Sequence, residues 1–205
     1  MHEVKEVVQV KPVKRGLKLS DLLVTMIVSI VLGVVYHFWS SVYNLFSPLF
    51  PQADELVYGM WFIAATLVFL LIRKPGVALI AEVAAAHVEI LFGSEWGIQL
   101  LLYSVLQGLG AELVFAAFRY RKFSGSVAAL AGVGAAIGSI IPDIYYGYVA
   151  DYETWLLVTK YVLRGISAAL IAGYLAYAIA KAVEATGVTQ QLRPVSDSDY
   201  AALDD

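Results

Sequence analysis

The chain contains no cysteine, which excludes a disulfide framework, a thiolate metal site and a cysteine nucleophile. It is also poor in charge: Asp, Glu, Lys and Arg make up 15% of its 205 residues, against 60% hydrophobic residues and a mean hydropathy of +0.74. That balance lies outside the range of soluble globular chains. There is no G-x-x-x-x-G-K-[ST] nucleotide loop, no H-E-x-x-H and no G-x-S-x-G elbow, so ATP hydrolysis by the P-loop route is excluded. Basic residues occur in short segments with no stacking platform beside them, which argues against nucleic-acid recognition. The apolar run that follows the basic opening segment lacks an A-x-A cleavage signal, and no internal repeat or soluble domain is legible.

What the chain has is apolar length. A bilayer core about 30 Å thick needs about 20 apolar residues in a helix. Six stretches qualify, at roughly 21–45, 56–72, 76–92, 97–118, 125–148 and 154–183. The expected fold is therefore all-α, a six-transmembrane-helix bundle occupying residues 20–185, between a polar N-terminal tail (1–19) and a polar C-terminal tail (186–205). Ser20 and Asp21 form a candidate N-cap pair for span one. Basic and non-basic connections alternate: Arg73-Lys74 and Arg119-Tyr120-Arg121-Lys122 contrast with the segments around Asp54-Glu55, Glu95 and Asp151-Glu153, which hold no Lys or Arg. The positive-inside rule then places both termini in the cytosol, with Lys181 and Arg193 on the same side. Trp39, Trp96 and Trp155 sit at span ends and suit an interfacial belt.

Charge at bilayer depth is costly, about 2.5–3.5 kcal/mol per residue at a helix centre on insertion scales, so it marks a cavity, pathway or ligand site. Glu82, Glu89, Glu112, Asp143, Lys160 and Arg164 all fall within the spans. Glu82 and Glu89 are seven residues apart and share a helix face, while Lys160 and Arg164 share a stripe at i and i+4. With a rise of about 1.5 Å per residue, Tyr36, His37, Tyr58, Trp61, Glu89, Gln99, Tyr103, Gln107, Asp143, Tyr145 and Tyr146 converge on the outward half. Arg164 has two readings, a tie between helices through Asp143, Glu89 or Glu82, and a ligand-orienting role. Trp61, Tyr58 and Tyr146 could stack on a flat or cationic ring or belong to the belt. The embedded carboxylates outnumber the cations, a surplus that a cationic guest would balance if all are ionised and that proton uptake by buried carboxyls would otherwise remove. His37 and His87 lack the paired spacing of metal ligands, and no cofactor is expected. Small residues at four-residue spacing, among them Ser29 and Gly33 in span one and Ala128, Gly132 and Ala136 in span five, permit close helix approach, either within the bundle or toward a partner subunit.

Tyr58-Gly59-Met60-Trp61-Phe62, Arg73-Lys74-Pro75-Gly76, Glu82, Glu89 and Gln107-Gly108-Leu109-Gly110-Ala111-Glu112 resemble the YkoE family over roughly residues 20–185. Members are substrate-binding S components of energy-coupling factor (ECF) vitamin transporters. The resemblance implies a multi-pass protein of a bacterial or archaeal cell membrane that is not an enzyme. It further implies capture of thiamine or its hydroxymethylpyrimidine (HMP) precursor from outside, with a transmembrane coupling subunit and two ATPases as partners. Glu89 and Gln107 would engage an aminopyrimidine, Trp61 or Tyr146 a thiazolium ring, Asp143 or Glu82 its charge, and Arg164 the carboxylates, with Tyr58, Tyr36 and His87 beside them. The A-x-x-x-A docking pattern of S components has its nearest equivalent in Ser29 and Gly33. Three other readings compete: another vitamin or a metal ion as cargo, a small membrane enzyme using these carboxylates with His87, and a structural subunit. Against the enzyme, His87 lies about 140° around the helix from Glu82.

Overall fold

The computed structural model describes residues 16–150 and 152–191. Most of both expected tails, with Asp151 and Arg193, lies outside the described residues. Among the described residues the fold is made of six helical rods: α1 (Leu19–Phe46); α2 (Ile63–Ile72), entered through a 3-10 turn at Tyr58–Phe62; α3 (Val77–Leu91); α4 (Gln99–Ala117); α5 (Gly125–Tyr145); and a final rod. That last rod runs unbroken from α6 (Thr154–Ser167) through a π-helical stretch (Ala168–Leu175) into α7 (Ala176–Ala185). Four rods, Leu19–Phe46, Gln99–Ala117, Gly125–Tyr145 and Thr154–Ala185, are long and apolar enough to cross a membrane unaided.

Of the two short rods, α2 is central. All ten residues of α2 are buried, so it contacts protein on every side and need not match the bilayer by itself. Its 3-10 entry rises faster per residue than an α-helix, so the 15 residues from Tyr58 to Ile72 span about 25 Å. A helix buried all round must settle its free N–H groups on protein. Where the 3-10 turn opens into α2, the Ala64 N–H donates to Tyr36 Oη (2.9 Å) and the Ala65 N–H to Glu82 Oε2 (3.0 Å). Glu112 does the same for α3, accepting from the N–H groups of Gly76 (2.7 Å) and Ala78 (3.0 Å). The carboxylate sits at the positive end of the α3 dipole, which accounts for its place at bilayer depth.

Span one starts at Leu19 with Lys18 as N-cap, so Ser20 and Asp21 are not the cap pair. Asp21 lies inside the first turn, where it accepts from the Lys18 N–H (2.7 Å) and pairs with the buried Lys74 ammonium (2.5 Å). The small-residue stripes pack inward. Gly33 lies against Ala85 and Val88, and Gly132 against the backbone of Ala168. Ser29 and Gly33, the expected docking pair, are both buried within the bundle. Phe69 and Phe115 stack 3.7 Å apart between α2 and α4, in the apolar core below the outward half.

Candidate functional site

Above that core the rods part around a chamber of about 540 Å³, within the range of small-molecule pockets. Eight of the ten residues expected to bind the substrate line it: Tyr36, Tyr58, Trp61, Glu82, Glu89, Gln107, Asp143 and Arg164. Their convergence follows from local structure. Glu82 and Glu89 lie two turns apart on the inward stripe of α3. Gln107 faces them from α4, and the 3-10 turn holds Tyr58 and Trp61 at the entrance to α2. Gly59 makes this turn possible, because its Cα lies against the backbone of Ser167 and Ala168 where no Cβ fits. Its N–H donates to Ser167 Oγ (2.9 Å).

The chamber has two electrostatic regions. In the first, Arg164 is 2% exposed and donates through Nε and Nη2 to both oxygens of Glu55, each at 2.7 Å. Through Nη1 it donates to Asp143 Oδ2 (2.9 Å) and Ser139 Oγ (2.8 Å), and its guanidinium lies 4.0 Å from the centre of the Tyr58 ring. Asp143 also pairs with Lys160 (3.2 Å) and accepts from the hydroxyls of Tyr103 (2.5 Å) and Tyr161 (3.2 Å). Two cations and two carboxylates thus neutralise one another in a nearly saturated network. Arg164 pairs with Asp143, as one sequence reading had it, and with Glu55 rather than with Glu82 or Glu89.

In the second region the carboxylates have no cation. Glu82 accepts from Ala65 and, at 3.3 Å and 3.4 Å, from the Tyr36 hydroxyl. Glu89 Oε1 takes long hydrogen bonds from Trp61 Nε1 (3.3 Å) and Ser94 Oγ (3.4 Å). Glu89 Oε2 is buried and has no partner. A buried unpaired carboxylate oxygen is costly, and a ligand that brings a donor removes that cost. Beside it, Trp61 packs edge-on against Tyr43 (5.3 Å) and at a tilt against Tyr58 (5.4 Å).

A family model described as "ABC-type cobalt transport system, permease component" matches residues 20–138. The chain is 39% identical over 172 residues, 83% of its length and 86% of the relative's, to a protein of Bacillus subtilis (strain 168) named "Putative HMP/thiamine permease protein YkoE". The chain belongs to the YkoE family, S components of ECF transporters. A crystal structure of an S component of an ECF transporter shares its fold with a TM-score of 0.82 at 38% identity, over 86% of this chain and 90% of that one. As an S component, the protein is a multi-pass membrane subunit that binds a substrate and works with an ECF module; it is not an enzyme.

Two expected site residues stand apart from the chamber of this S component. Tyr146 stacks behind Tyr103 at 6.2 Å and does not line the cavity. His87 is exposed on another face of α3, where its Nδ1 meets the Val83 carbonyl (2.7 Å) in an apolar groove with Met26, Ile30 and Leu79. Other lining residues escaped the sequence reading. Glu55 had a place only in a connection without Lys or Arg and Trp96 only in the belt, yet both line the cavity, as do Tyr43, Gln52 and Tyr152. A faint signal for Glu55 was available, since Arg164 needed more acid than Asp143 supplies.

Proposed function

We propose that the chamber captures thiamine or its hydroxymethylpyrimidine precursor from the outer side. Delivery then proceeds with a transmembrane coupling subunit and two ATPase subunits, which supply the nucleotide chemistry this chain lacks. The observation that carries the reading is Glu89, whose Oε2 is unpartnered at the wall of an aromatic chamber. An aminopyrimidine offers an amine donor beside ring nitrogens, which suits Glu89 as acceptor and the Gln107 amide as a two-way partner. A thiazolium ring suits the aromatic wall of Trp61 and Tyr58, and the uncompensated Glu82 offsets its charge. The B. subtilis relative's name points to the same two ligands.

The cobalt transport description of the matching family model favours a metal ion as cargo. Among the described residues, however, no group of three or more His, Asp or Glu side chains is arranged to hold one. The test is to purify the protein from cells grown with thiamine and identify by mass spectrometry the small molecule that accompanies it. Thiamine or HMP is expected; a mass matching riboflavin or biotin would overturn the cargo while leaving the transport class intact.

A further inference from the structure

Resting on the functional reading above, we infer that the outward face selects its ligand by charge: it steers in and holds a cationic heterocycle, and discriminates against the neutral hydroxymethylpyrimidine and against phosphate esters of thiamine. Two separate features carry this. The first is the rim. The outer connections, residues 47–57, 92–98 and 146–153, hold Asp54, Glu55, Glu95, Asp151 and Glu153 and not one Lys or Arg. Glu95 and Glu153 are exposed and Asp54 is half-buried at the chamber wall; Asp151 lies outside the described residues.

The second feature is the chamber. Five carboxylates line it, those of Asp54, Glu55, Glu82, Glu89 and Asp143, against the two cations Lys160 and Arg164. Both cations are taken up by Glu55 and Asp143, and among the described residues no basic side chain is paired with Asp54, Glu82 or Glu89. Glu89 lines the chamber, is 1% exposed and has an Oε2 without a partner, so an unsatisfied acid acceptor lies at the chamber wall, where a cation would favour its charged form. Low-dielectric walls focus such a field and raise the local concentration of a cation. HMP is neutral and gains nothing from it. A phosphate ester adds about −1.5 to −2 charge, and the guanidinium and ammonium that would receive it are already engaged.

Stopped-flow tryptophan fluorescence on the full-length protein in neutral detergent reads this directly, with thiamine, HMP and thiamine diphosphate as probes. Between about 0.01 M and about 0.15 M ionic strength the Debye length falls from about 30 Å to about 8 Å. The association rate of thiamine is expected to fall about tenfold or more over that range while that of HMP stays nearly constant. At low salt thiamine is expected to bind about tenfold or more tighter than either HMP or the diphosphate. Glu95→Gln with Glu153→Gln, both on the exposed rim, is expected to flatten the salt dependence for thiamine and leave its dissociation rate unchanged. A salt-independent thiamine association rate, or equal affinity for thiamine and either competitor, overturns the inference and leaves the functional reading standing. Failure of all three to bind overturns both.

Discussion

Arg164 is the residue on which the outer half turns. A guanidinium buried to 2% exposure is tolerable only because its fixed fork of N–H donors makes four hydrogen bonds at once, to Glu55, Asp143 and Ser139. Removing one partner of such a cluster leaves uncompensated charge, so Arg164→Met is expected to lower unfolding stability by about 3–5 kcal/mol. Thermal denaturation in detergent would measure it. Pairing it with Glu55→Gln should recover part of the loss, because the orphaned carboxylate is gone; an Arg164→Met protein as stable as wild type would contradict this account. The sequence made Arg164 conspicuous, because charge inside an apolar run needs an explanation. Glu55 was illegible for the opposite reason: a carboxylate in a polar connection reads as solvated. It is buried because the 3-10 turn Ala53–Leu56, entered through a left-handed Gln52 (φ 67°), folds back onto α6. Asp21 and Lys74 were hidden likewise, each placed at a span end and each buried against the other.

Among the elements, α2 and α3 depend on side chains supplied from elsewhere in the chain. Glu112 closes the N-terminus of α3 from α4, so Glu112→Ala is expected to cost about 1–2 kcal/mol in stability, the scale of a lost cap. Ligand affinity should hold, because Glu112 lies outside the chamber; chemical denaturation beside a binding isotherm checks both halves. The turn at Tyr58–Phe62 behaves differently. Gly59→Val would force a side chain into the backbone of Ser167 and Ala168, and overpacking of this kind costs about 1–3 kcal/mol. Because Tyr58 and Trp61 flank that position, binding is expected to weaken together with stability. The rods themselves were legible in sequence, since hydropathy and turn residues located each to within a few positions. Their interior character was not. The 3-10 entry at Tyr58 and the π-helical stretch at Ala168–Leu175 leave the apolar pattern intact while changing hydrogen-bond partners, and hydropathy carries no trace of that.

At the scale of the whole molecule, the chain has a sealed half and an open half, and the charge of its connections says which way they face. The absence of cysteine makes that orientation easy to check. Single cysteines at the exposed positions Glu95 and Arg121 are expected to react oppositely with a membrane-impermeant maleimide. Glu95→Cys should be labelled on intact cells, and Arg121→Cys only after permeabilisation. The reverse pattern would turn the chamber toward the cytosol. Fold class and the convergence of acids and aromatics were readable because depth follows from helical rise and topology together. The exclusion of His87 and Tyr146 from the chamber depends on how each rod is rotated against its neighbours, which sequence spacing alone does not determine. The chamber itself, with Glu89 Oε2 waiting for a donor, is the central claim. Its most direct test is calorimetric titration of thiamine and HMP into purified wild-type protein and into Glu89→Gln, after confirming that the two unfold at similar temperatures. The account predicts saturable one-to-one binding to wild type and a loss of about tenfold or more in Glu89→Gln, the scale of a hydrogen bond to a charged group. Undiminished affinity in Glu89→Gln, or no saturable binding to wild type at all, would contradict it.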